Sequence, residues 1–200
     1  MAAQHGEQSE PAMQVGEEGD EEGEQSSQQQ GISPLQIEQV DEHDCEHGAD
    51  PTIATTDNTT PLMAVAGVGY TDGFIHDRSP EESLAALKFL VEEIKVPVNA
   101  QNEGGLAALH GAAHKAWIEG IQYLVDHGAD LSMPDKGSKA YGANTPGLLP
   151  INWAEGVVIG VQSAIYHEDA VALITKMMND RHIPIPKVTR TLGGNAKPKG

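Results

Sequence analysis

The sequence predicts an all-α solenoid of about three helix-turn-helix units with finger loops, flanked by disordered ends. Three observations predict it. Val98-Asn99 and Leu131-Ser132 hold the same place in successive units, a period of 33 residues, and self-similarity at such a spacing marks stacked repeats. Between them, a turn at Asn102-Glu103-Gly104-Gly105 precedes two short apolar runs with helical spacing, Ala107 to Ala113 and Ile118 to Val125. The first 48 residues, by contrast, hold thirteen Asp or Glu and no Lys or Arg.

Residues 1–45 are expected to be a disordered acidic tail. Glu17-Glu18-Gly19-Asp20-Glu21-Glu22-Gly23-Glu24 and Gln28-Gln29-Gln30 offer nothing to bury, and ordering a backbone costs about 1–2 kcal/mol per residue. Within Asp41 to His47, His43, Cys45 and His47 alternate, but no second ligand cluster accompanies them and no metal site is predicted. The folded part is expected over 46–180. Its first helix starts at Thr60-Pro61, an N-cap followed by proline where the missing N–H costs nothing. An insertion follows from Gly67 to Arg78; then Ser79-Pro80-Glu81-Glu82 reads as a capping box ahead of the apolar positions Leu84, Leu87, Phe89, Leu90, Val91 and Ile94.

In the central unit Leu109, Ala112 and Ala113 share one face of a short helix, and their small size admits a close neighbour. Ile118, Ile121, Tyr123, Leu124 and Val125 form the wider face of the second helix, which Gly128 ends. The third unit carries its insertion in the finger, from Ser138 to Gly147. Its helices are expected at Leu149 to Ala154 and Glu168 to Met178, and the remaining 181–200 is a flexible basic tail.

Ala107-Ala108-Leu109-His110 and Thr60-Pro61-Leu62-Met63 stand where ankyrin repeats have Thr-Pro-Leu-His. Leu124-Val125-Asp126-His127-Gly128-Ala129-Asp130 matches that family's unit end, and Glu46-His47-Gly48-Ala49-Asp50 is similar to it. The chain therefore resembles ankyrin repeat proteins, and its loops at Gly67 to Gly73 and Trp153 to Gly156 resemble those of bacterial-type members. The resemblance implies a structural role for His110 and a non-catalytic module that binds a protein partner on a concave face. Carrying over the family's variable positions gives Thr56, Asp57, Thr59, Gly67 and Val68, then Glu103, Leu106, His114 and Lys115, then Thr145, Pro146, Leu148, Gly156 and Val157. Thr56, Asp57, Thr59, Glu103, Leu106, His114, Lys115 and Leu148 are the principal partner-binding candidates. Because a unit end at Glu46 to Asp50 lacks its own helices, the chain is expected to be the C-terminal part of a longer array with an uncovered apolar edge at 61–66. An alternative is a docking or regulatory segment of a larger enzymatic or exported ankyrin protein.

A net charge of −18 gives no electrostatic footprint for nucleic acid and would be repelled by anionic membranes. Neither a Gly-rich phosphate loop nor a Ser-His-Asp or Cys-His arrangement can be assigned, so no catalytic residue, cofactor or metal is predicted. No run approaches a membrane span, the first thirty residues lack a secretory signal pattern, and Cys45 is the lone cysteine. A cytoplasmic location is the expectation.

Overall fold

Thr60 and Pro61 start helix α1 (Pro61–Ala66) as the sequence predicts: the extended Thr60 accepts the Met63 N–H on its hydroxyl at 3.3 Å. In the computed structural model, which describes residues 50–70, 79–137, 147–157 and 165–186, every element among those residues is helical. Helix α2 (Pro80–Lys88) opens on the predicted capping box. Glu82 N donates to Ser79 Oγ at 3.1 Å and Ser79 N to Glu82 Oε2 at 2.9 Å, so two N–H groups that a helix start leaves unpaired are satisfied reciprocally.

One continuous helical face was the expectation from Leu84 to Ile94. The structure instead widens the last turn into a π-helix, Phe89–Glu93, closed by Ile94 N donating to Phe89 O at 3.1 Å. Leu87 and Leu90 stay fully buried while Phe89, Val91 and Ile94 are only half-buried. The wider turn carries the Glu92 carboxylate to the next unit, where Tyr123 donates its hydroxyl to Oε1 at 2.8 Å.

Helices α3 (Ala108–His114) and α4 (Ile118–Asp126) form the central pair, and α5 (Pro150–Ala154) and α6 (Glu168–Asp180) the third. α3 packs on α1 and on α5, making one row; α4 packs on α2 and α6, making a second. Leu62, Leu87, Leu90, Leu109, Ile121, Leu124, Ile151, Ile174 and Met178 share a single core between the rows. Burying each such side chain stabilises by about 1.5–3 kcal/mol, which short helices need because their own hydrogen bonds do not sustain them. The small residues of α3 do what their size suggests. A Cβ on Gly111 would lie 2.4 Å from Val68 N and 2.7 Å from the Gly67 carbonyl carbon, so only glycine lets this backbone approach so closely.

The expected uncovered edge at 61–66 is overturned. Leu62, Met63, Ala64, Val65 and Ala66 are 0–6% exposed, so α1 shows no apolar face to solvent. The sequence could not show this, since the pattern of a helix does not say whether each side is covered. Along the second row, Asn99 clamps the next unit with both ends of its amide. Its Nδ2 donates to Gly128 O at 2.8 Å and its Oδ1 accepts from Asp130 N at 2.9 Å.

Thr60→Ala is expected to lower stability by about 1 kcal/mol, the usual cost of losing a hydroxyl N-cap, because Met63 N then faces no acceptor. Urea unfolding checks it: the midpoint should fall with no change in slope.

Candidate interaction face

Each finger is closed by the same pair of hydrogen bonds. Thr55 N donates to Thr59 O at 2.9 Å, Asn102 N to Leu106 O at 3.0 Å and Asp135 N to Leu148 O at 2.9 Å. The same three residues return a side-chain oxygen to the opposite N–H: Thr59 N to Thr55 Oγ1 at 2.9 Å, Leu106 N to Asn102 Oδ1 at 2.9 Å, Leu148 N to Asp135 Oδ1 at 2.8 Å. In the first two fingers the pinch spans four residues; in the third it spans thirteen. The insertion is therefore spliced into an otherwise constant closure. Helix starts repeat as well. Ala107 N donates to His110 Nδ1 at 3.0 Å and Leu149 N to Asn152 Oδ1 at 3.0 Å, so a histidine and an asparagine perform one task at matching positions.

Adjacent fingers are then tied tip to tip. Glu103 N donates to Asp57 O at 2.8 Å, and one period later Lys136 N donates to Gly104 O at 2.9 Å. Asn102 Nδ2 reaches Thr59 Oγ1 at 3.0 Å, and Gln101 Nε2 reaches Pro134 O at 3.1 Å. This brings Thr56, Asp57 and Glu103 together as exposed positions on consecutive tips, with Leu106 and Leu148 half-buried behind them. Lys136, absent from the sequence prediction, continues the exposed line.

The other candidates sit differently. Thr59 is 3% exposed; its hydroxyl serves Asn102 and the Asp57 carboxylate, so it supports the tips from beneath. Gly67, Val68 and Val157 are buried, which removes them from an open surface. His114 and Lys115 are half-buried, the first with its ring edge-on to Trp153 at 5.6 Å, the second with Nζ 5.3 Å from the Tyr70 ring and 5.9 Å from Trp117. Lys115 thereby holds the Tyr70 ring by a cation–π contact. Thr145, Pro146, the acidic head and the His43, Cys45, His47 run lie outside the described residues.

Over 49 residues, 24% of its length, the chain is 43% identical to palmitoyltransferase akr1 of Schizosaccharomyces pombe, an ankyrin-repeat protein. The match covers 8% of that protein. No protein-family model matches the chain.

Electrostatics at the tips favour fixed carboxylates. Burial works to raise the Asp57 pKa, but hydrogen bonds from the Thr55 and Thr59 hydroxyls and the Thr59 N–H outweigh it and hold the group below its usual range. Asp135 is 9% exposed, and its carboxylate accepts from Gly137 N at 2.7 Å and Leu148 N at 2.8 Å through Oδ1 and from Trp153 Nε1 at 2.9 Å through Oδ2. Behind it, burial pushes the His110 pKa down, opposed by the Asp135 charge and the carbonyls of Leu148 and Met133. Burial, then repulsion from His167, pushes His114 down too.

On the opposite row, burial and then the Glu92 carboxylate push the Tyr123 hydroxyl upward, so it remains a hydrogen-bond donor. The His127 ring stacks on Tyr123 at 3.9 Å between centroids. Among the described residues, no group of three or more His, Cys, Asp or Glu could hold a metal ion, and no helix is long and apolar enough to cross a membrane. Asn102, Asp135 and Trp153 escaped the sequence prediction. The 33-residue step from Asn102 to Asp135 was a signal for the first two; nothing in the sequence pairs Trp153 with Asp135.

Proposed function

We propose that this chain is an ankyrin-type interaction module that binds a protein partner through its finger tips and the concave side of its first helix row, without catalysis. The observation that carries the reading is the finger closure recurring at Thr55, Asn102 and Asp135, with the tip-to-tip bond repeated at a 33-residue step. Stacked units of this kind hold exposed positions such as Thr56, Asp57, Glu103 and Lys136 on a fixed backbone, which lowers the ordering cost of binding. The likeness to akr1 supports the ankyrin assignment. Because that match is 8% of a larger protein, the second reading is a docking segment of a longer chain. The net charge of −18 favours a basic protein surface over nucleic acid or an anionic membrane, in a cytoplasmic setting.

The test replaces Glu103 with Lys and Leu106 with Glu in the full chain. Both lie on the binding face, and neither contributes a side-chain bond to the finger closures. Partner capture should fall by about thirtyfold or more, as for hot-spot residues worth about 2 kcal/mol, with helix content unchanged. Undiminished capture by a folded variant would move the interface elsewhere.

A further inference from the structure

The seam between the second and third units is held by two histidines on a single tryptophan. His110 and His114 lie one turn apart on α3, and both present their rings to Trp153 of α5, edge-on at 6.3 Å and 80° and at 5.6 Å and 89°. Neither ring takes a second proton readily. His110 Nδ1 already accepts the Ala107 N–H at 3.0 Å, so a proton there breaks that bond, and His114 Nδ1 is enclosed without a hydrogen-bond partner, so a proton on it goes unanswered.

We infer that this seam is an acid-opened joint: protonation of the two rings, above all of His114, releases α5 and α6 from α3 while the first two units stay folded. His114 is the critical group because no carboxylate among the described residues eases its charging. A positive charge on His167, in the segment leading into α6, opposes one on His114. α5 itself carries no charged side chain, and Glu155, which caps its end, accepts from Asn152 Nδ2 at 3.2 Å; α1 carries no titratable side chain, and the acids of α4, Glu119 and Asp126, are exposed. His110 faces the Asp135 carboxylate, which eases its protonation, so a charge on His110 costs the seam less than one on His114.

The sign follows from burial. Each ring holds a proton less readily in the fold than in the unfolded chain, so docking is fully favoured above the ordinary imidazole range near about pH 6.5 and weakens as pH falls below it. Stacked units respond locally, since each is held mainly by its neighbours and a terminal pair can leave without unfolding the rest.

Amide exchange on the full chain, corrected for intrinsic rates, at about pH 7.5 and about pH 5 tests the joint. Protection in 148–157 and 168–180 should fall by about tenfold or more at the lower pH, while 61–66 and 118–126 change by less than about threefold. The joint variant His110→Asn with His114→Phe should keep the seam closed at both. Asn152 shows that asparagine serves the helix-start role of His110, and phenylalanine keeps a ring against Trp153. An unchanged seam in the natural chain, an even loss of protection across all units, or a loss that persists in the variant would each overturn the inference. Should the variant not fold, proton NMR of the natural chain decides it. The His114 ring must become charged over the same pH interval in which the seam opens, and opening while it is still neutral would overturn the proposal.

Discussion

Asp135→Ala is expected to lower the unfolding free energy by about 3–5 kcal/mol, because three donors lose one shared acceptor in a largely enclosed site. Gly137 N and Leu148 N sit at the two ends of the inserted finger, and Trp153 Nε1 belongs to α5. One carboxylate therefore joins the base of the insertion to the third unit's first helix. Asp135→Asn should cost less, since the amide oxygen can still accept from the two backbone groups while its NH2 faces the indole N–H. Urea unfolding of the three proteins checks the order, natural chain above Asn above Ala. A loss below about 1 kcal/mol for Ala would mean that water replaces the carboxylate and that the base of the finger is not closed by it.

Gly111→Val is expected to destabilise by about 3 kcal/mol through overpacking, toward the upper end for added core volume. The obstacle is backbone, Val68 N and the Gly67 carbonyl carbon, and backbone cannot rotate away as a side-chain end would. Relief requires α1 and α3 to separate, which opens the core at Leu62 and Leu109. Gly128→Ala is the matched control. That residue has φ +89° with nothing within 4 Å of its Cβ position, so the variant bears backbone strain alone, about 1 kcal/mol. Equal losses at the two glycines would refute the close-approach argument. The measurement is the thermal midpoint together with the urea midpoint, with the larger shift expected for position 111.

Local chemistry was legible wherever a residue acts on neighbours close in sequence. Thr60-Pro61 and Ser79 with Glu82 start their helices as predicted, and Gly128 ends its unit in the left-handed conformation. His110 serves the backbone of its own helix start, as the ankyrin resemblance implied. The 33-residue step was legible for the same reason, because a repeated local structure repeats its sequence. Exposure was less so. Thr59 follows the exposed tip Thr56 to Asn58 in sequence yet points under the tips, where the Asn102 amide of the next finger meets its hydroxyl.

What the sequence by itself determined is where helices start and stop and at what interval the pattern recurs, because caps, turns and apolar spacing act within a few residues. Only the tertiary structure decided what each unit offers its neighbour. The Asp135 carboxylate meets Trp153 across 18 residues and an insertion, Asn99 clamps Gly128 and Asp130 of the next unit, and the π turn at Phe89–Glu93 lets Glu92 meet Tyr123. The burial of α1 and the pairing of His110 and His114 on one indole ring belong with them. Such contacts depend on how closely two backbones approach, and that distance is set by the packing of all the side chains between them at once.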